Sequence, residues 1–276
     1  MKKPDLNSMK LVFNEDFDVA LNEGHWADSD YPKRFFPVIY DGGIQTSVNG
    51  EVASKPQKLV NKNISCRDSI LVLKAKESET DYTGAELRTT KFFNYGYFEI
   101  RARLKASSGI CPAFWLLGSR DCKSGISYEV DAFECFGKTP ELIKFTLLAH
   151  DHTEDPLREN AKTEWRFVYN RITDRPIPDN FDKTFTEGNW NEEFHTFGID
   201  WRQNGITLYI DGEAVISAVP TEVFNGKYKY NEPMRVILTC YSGRDVCSPK
   251  TGLPNSLTDW ENGSSLEVDY LKIWQY

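Results

Sequence analysis

The chain has 276 residues, a net charge of −8 and a 13% aromatic content that includes 7 Trp, 13 Tyr and 17 Phe. The acidic balance speaks against a nucleic-acid partner, which needs a basic face, and no apolar run of about 18 residues is present to span a membrane as a helix. The length suits one large all-β unit, so residues 1–276 are read as a single domain.

The opening Met1-Lys2-Lys3-Pro4-Asp5-Leu6-Asn7 is basic but is followed by no apolar segment, so it is not a signal peptide. Further on, Tyr97-Phe98-Glu99-Ile100-Arg101-Ala102-Arg103-Leu104 alternates apolar and polar residues and predicts a strand. Ser127 to Glu134 predicts another, carrying three acids. Asp151 to Asn189 is polar and contains Pro156, Pro176 and Pro178, which predicts a long loop over or beside a cleft. Ile206–Ile210 and Ala214–Ile216 flank Asp211-Gly212, a hairpin signal. Met234 to Tyr241 is mostly apolar and suits a strand buried on both faces, and Leu266 to Trp274 alternates again. With no long helical periodicity, the fold class is all-β: an antiparallel sandwich or jelly roll with a concave substrate cleft.

Six cysteines stand at Cys66, Cys111, Cys122, Cys135, Cys240 and Cys247, none spaced as a zinc site. Cys111 with Cys122, and Cys240 with Cys247, are near enough in sequence to pair. Buried thiols are the other reading.

In a regular strand residues i, i+2 and i+4 share a face, so Glu129 and Asp131 point together and Glu134 points away. One extra residue between Asp131 and Glu134, a β-bulge, would bring Glu134 back to their face and turn Phe133 into the core. Carboxyls so close repel, so one of them should hold a proton near neutral pH. That division suits glycoside cleavage with retention, in which one carboxylate attacks the anomeric carbon and a protonated one serves the leaving oxygen. A solvated acidic strand edge is the plain alternative.

The pattern Glu129-Val130-Asp131-Ala132-Phe133-Glu134 resembles the active-site strand of glycoside hydrolase family 16 in its bulged branch. The likeness runs in order along the chain. It takes in Val12–Phe17, Gly84–Thr89, Asn94–Arg103, Gly109–Gly118, Phe194–Trp201 and Leu266–Leu271. Many members carry Trp where this chain has Cys111. The resemblance implies a β-jelly roll with Glu129 as nucleophile, Asp131 as assisting acid and Glu134 as general acid/base. It implies that Glu86 and Arg88 contact sugar on the non-reducing side of the cut, with a surface ion pair as the alternative. Trp115 would floor the reacting sugar or belong to the core. His150 would lie near the leaving group or be structural. Trp190 would stack on sugar or cap the core. No cofactor is implied for the chemistry. Asp269 matches the side-chain ligand of a structural calcium site found in some members, or is an exposed strand residue.

The implied function is a retaining endo-hydrolase of a β-linked polysaccharide, acting as a monomer without nucleic-acid or membrane partners. Either the chain is cytosolic or a leader has been removed from it; the second, a secreted or extracytoplasmic protein, is expected because such an enzyme must meet its polymer. A β-1,3- or 1,3-1,4-glucan leads, favoured by the acidic balance. A red-algal galactan (agar, porphyran or carrageenan) follows, favoured by Glu134-Cys135-Phe136-Gly137. Transglycosylation, and sugar binding without catalysis, are the remaining alternatives. Stacked aromatics in the cleft would favour glucan, and several Arg or Lys a sulfated galactan.

Overall fold

The computed structural model describes residues 3–23, 25, 33–44, 47–48, 51–52, 57–77, 79–107, 109–119, 121–135, 137, 140, 143–152, 162–169, 190–242 and 264–276. Its strands are β1 (Lys10–Glu15), β2 (Phe35–Pro37), β3 (Tyr40–Ile44), β4 (Ser47–Val48), β5 (Glu51–Val52), β6 (Gln57–Leu59), β7 (Ile64–Arg67), β8 (Ile70–Lys74), β9 (Lys76–Glu77) and β10 (Tyr82–Thr89). They continue with β11 (Gly96–Lys105), β12 (Ile110–Gly118), β13 (Ile126–Cys135), β14 (Ile143–Asp151), β15 (Lys162–Tyr169), β16 (His195–Arg202), β17 (Gly205–Ile210), β18 (Glu213–Ala218), β19 (Met234–Ser242) and β20 (Ser265–Gln275). Helix is confined, among the described residues, to short turns such as Pro220–Val223.

The strands form two large sheets. The back sheet runs β18-β17-β16-β11-β20-β8-β7, with β1 also on β20. The front sheet runs β15-β14-β13-β12-β19-β10-β6-β3, with β2 and β9 also on β10. Pairing is antiparallel except between β6 and β10. One face of each sheet is apolar, and the two faces close on a common core. Phe133 of the front sheet and Phe197 of the back sheet meet at 4.6 Å between ring centroids. Alternation positions that core: Phe98, Ile100, Ala102 and Leu104 of β11 are all fully buried, as the period-2 pattern requires.

The hairpin β17–β18 turns at Asp211 (φ 48°) and Gly212 (φ 81°), two left-handed residues that suit the twist of the flanking strands. Part of the predicted loop from Asp151 to Asn189 departs from expectation. Asp151 ends β14, and Lys162–Tyr169 is a strand on β14's free edge; residues 153–161 and 170–189 lie outside the described set. The signal was present in the alternation Thr163, Trp165, Phe167, Tyr169, obscured by the polar, proline-rich sequence around it. Cys66, Cys111, Cys122, Cys135 and Cys240 are thiols, so the Cys111–Cys122 pairing does not form. Cys247, the suggested partner of Cys240, lies outside the described residues. Burial pushes the Cys240 thiol up to about 12, which keeps it protonated and unreactive.

Candidate active site

The expected bulge is present in β13. Trp115 of β12 pairs with Asp131, and Phe114 with Phe133, leaving Ala132 as the extra residue. On the other side Asp131 pairs with Thr146 of β14 and Glu134 with Lys144, again with one residue too many in β13. Glu129, Asp131 and Glu134 therefore project from the outer face of the front sheet. Val130, Ala132 and Phe133 are fully buried in the core. Phe133 packs on Phe114 and Phe197, so the bulge is held by an aromatic anchor behind it. Two pleats separate Glu129 from Glu134, about 13 Å along a strand. Two glutamate side chains leaning together reduce that toward the carboxyl spacing of about 5–5.5 Å that retention requires.

The three acids sit in different surroundings. Asp131, between the others, is 6% exposed. Burial, then the charges of Glu129 and Glu134, hold its carboxyl well above the usual carboxylate range, against the pull of Lys144. Asp131 is thus held toward its protonated form, and it is hydrogen-bonded to Glu129. Glu129 also accepts from His150 Nε2 at 2.8 Å. His150, on β14 opposite Ser127, is brought to the acid the resemblance makes the nucleophile, not to Glu134. Behind it, Ser127 Oγ lies 3.0 Å from His152 Nε2. Burial and the neighbouring His150 ring lower the His152 pKa, so His152 adds no charge at neutral pH.

The sheet register continues this face sideways. One row runs from Glu134 through Ala113 and Thr239 to Glu86. The next runs from Asp131 through Trp115 and Ile237 to Arg88, and a third from Glu129 through Leu117 to Arg235. Trp115 shares the carboxylates' face, and its buried Nε1–H has no hydrogen-bond partner among the described residues. Glu86, 2% exposed, accepts from Arg88 Nε at 2.6 Å and from the Tyr241 hydroxyl. It is a buried, doubly bonded carboxylate rather than a surface ion pair. Sequence reasoning missed Lys144, Arg235 and Tyr241, because only the register brings them beside the acids.

Trp190 is a correction. It is 2% exposed and packs on Phe197 and His195, so it caps the core and offers no face to a sugar. Asp269 is a second. Its Oδ2 accepts from Arg101 Nη1 at 2.6 Å. It stands in β20 at a register shift opposite Arg101 and Ala102. A guanidinium on this carboxylate both occupies it and adds positive charge, so the residues present do not fit a calcium ion.

Residues 52–271 match the model of glycosyl hydrolases family 16. The chain belongs to this family. It is 28% identical to the endo-1,3-1,4-beta-glycanase EglC of Rhizobium meliloti (strain 1021) over 98% of its own length and 52% of that protein's. It spans about half the length of EglC and 35% of that of a second relative, the endo-1,3-1,4-beta-glycanase ExsH of the same organism. Among solved structures, the laminarinase of Flavobacterium sp. UMI-01 superposes with a TM-score of 0.65 at 24% identity, covering 96% of this chain and 100% of that one. Beta-agarase B of Zobellia galactanivorans gives 0.72 at 16% identity, covering 97% and 94%. These likenesses establish the family's jelly-roll fold.

Proposed function

We propose that the chain is a retaining, endo-acting glycoside hydrolase that cuts internal β-linkages of a polysaccharide by double displacement. The observation that carries this is the bulge at Ala132, which aligns three carboxyls on the family's motif. Glu129 attacks the anomeric carbon while Glu134 protonates the leaving oxygen. Asp131, whose burial between two carboxylates favours the protonated form, donates to Glu129 and holds it in place. In the second step Glu134 takes a proton from the water that displaces Glu129. These carboxyls supply every proton transfer, so no cofactor enters the chemistry. Trp115, Glu86 and Arg88 are read as sugar contacts, with Trp115 Nε1–H available as a donor.

The substrate reading is a β-1,3- or 1,3-1,4-glucan, supported by the printed activities of EglC and the laminarinase. A sulfated galactan is the second reading, favoured by Arg235. That guanidinium lies 4.0 Å from the centroid of Phe92 and 5.1 Å from that of Phe36, on the acids' face, with no carboxylate partner among the described residues. An unneutralised arginine in a sugar cleft suits an anionic substituent. A polymer substrate supports action outside the cytoplasm, and residues 1–276 are read as one monomeric catalytic unit.

Sugar release from laminarin, agarose and porphyran tests the proposal. Laminarin is expected to be cleaved, and Glu129→Ala to be inactive; cleavage by that variant would sink the mechanism. Under the glucan reading Arg235→Met leaves laminarin hydrolysis within about threefold. Cleavage of porphyran alone, lost in Arg235→Met, would establish the galactan reading instead.

A further inference from the structure

Lys144 lies directly opposite Glu134 in the β13–β14 register, and its Nζ stands 3.0 Å from Glu134 Oε2. The lysine side chain is 8% exposed. An ammonium taken that far out of water is costly unless an opposite charge and hydrogen bonds hold it. A proton donor is an unusual neighbour for it, since a cation in contact with a carboxyl favours the form that cannot donate. None of the roles above uses this lysine.

We infer that Lys144 is a positioning residue for the reaction: it holds Glu134 over the cleft and favours the anionic form that accepts a proton from water in the second displacement. This rests on the retaining reading. In the first displacement the bond from the anomeric carbon to the leaving oxygen breaks, the Glu134 proton passes to that oxygen, and Glu129 bonds to the carbon. Glu134 is then a carboxylate against the Lys144 ammonium. In the second, the water oxygen bonds to the anomeric carbon, Glu129 departs as carboxylate, and the water's proton goes to Glu134. Lys144 stabilises the charge state between the two steps and exchanges nothing itself.

Among the described residues, charged groups bearing on Glu134 come from three strands. Asp131 and Glu129 share its strand, Lys144 and His150 lie on β14, and the Glu86–Arg88 pair ends its row on β10. The intervening positions of that row, Ala113 of β12 and Thr239 of β19, do not titrate. Burial favours the neutral form of Asp131 and Arg88 neutralises Glu86; among the described residues Lys144 is a cation in contact with the acid/base.

The test is kcat/KM against pH on the cleaved polymer for the parent, Lys144→Met and Lys144→Arg. The alkaline limb follows loss of the Glu134 proton. With the contacting cation removed, the limb in Lys144→Met moves up by about one pH unit or more. In Lys144→Arg it stays in place. On an aryl glycoside whose leaving group needs no proton, kcat of Lys144→Met falls about tenfold or more and a product burst appears. Lys144→Gln serves if the methionine variant does not fold. A limb unmoved in both neutral variants, or moved equally in Lys144→Arg, overturns the role. Activity surviving Glu129→Ala would instead overturn the retaining reading, so the two failures are distinguishable.

Discussion

Asp131 carries the charge arrangement of the site in one residue. The repulsion argument required a carboxyl that holds its proton for the leaving oxygen; burial favours the protonated form at Asp131, the acid between the other two. Asp131 is the most buried of the three, at 6% exposed, whereas the side chains of Glu129 and Glu134 are 17% and 18% exposed. Raising a folded-state pKa above the ordinary value of 3.8 means that the folded chain binds more protons than the unfolded chain in the window above that value. Stability then falls as pH rises through the window, by up to about 1.4 kcal/mol per pH unit. Asp131→Asn removes this term and keeps a donor toward Glu129. Denaturation between pH 4 and 7 is therefore expected to show the asparagine variant gaining on the parent as pH rises. A constant difference across that range would contradict the protonated assignment.

At the scale of the element, β13 shows why the extra residue is there. Deleting Ala132 would place Glu129, Asp131 and the old Glu134 at i, i+2 and i+4 of an unbroken pleat, still on one face. Adding one residue between Asp131 and Glu134 would turn Glu134 into the core. The deletion is expected to leave measurable hydrolysis, and the insertion to abolish it with a loss of stability from the buried carboxyl. Assays of both variants beside their thermal midpoints check this. Equal loss in the two would mean that the bulge does more than set the facing of Glu134.

For the whole molecule, the aromatic layer between the sheets supports the site from behind. Phe133 is fully buried against Phe114 of its own sheet and Phe197 of the other. Phe133→Ala is expected to cost about 3–5 kcal/mol. A double-mutant cycle with Phe197→Ala should return a coupling of about 0.5–1.5 kcal/mol from the ring pair. Denaturant titrations of the four proteins measure both, and a coupling near zero would mean that the bulge is not anchored across the sandwich.

Much of this was legible in the residues alone. Alternation announced β11, β17, β18 and β20, and Asp211-Gly212 announced the hairpin between β17 and β18, because the facing of side chains in a strand and the left-handed demand of a tight turn are local properties. Local spacing also showed that Glu129, Asp131 and Glu134 needed a bulge to share a face. Only the tertiary structure decided what surrounds them. Lys144, His150 and Trp115 meet the acids through the registers of β13 with β14 and β12, and Arg235 joins their row through β19. Trp190 was lost to the core and Asp269 to Arg101 through packing that no local pattern encodes. The upward shift of the Asp131 carboxyl is likewise tertiary, since burial is a property of the closed sandwich and not of the strand.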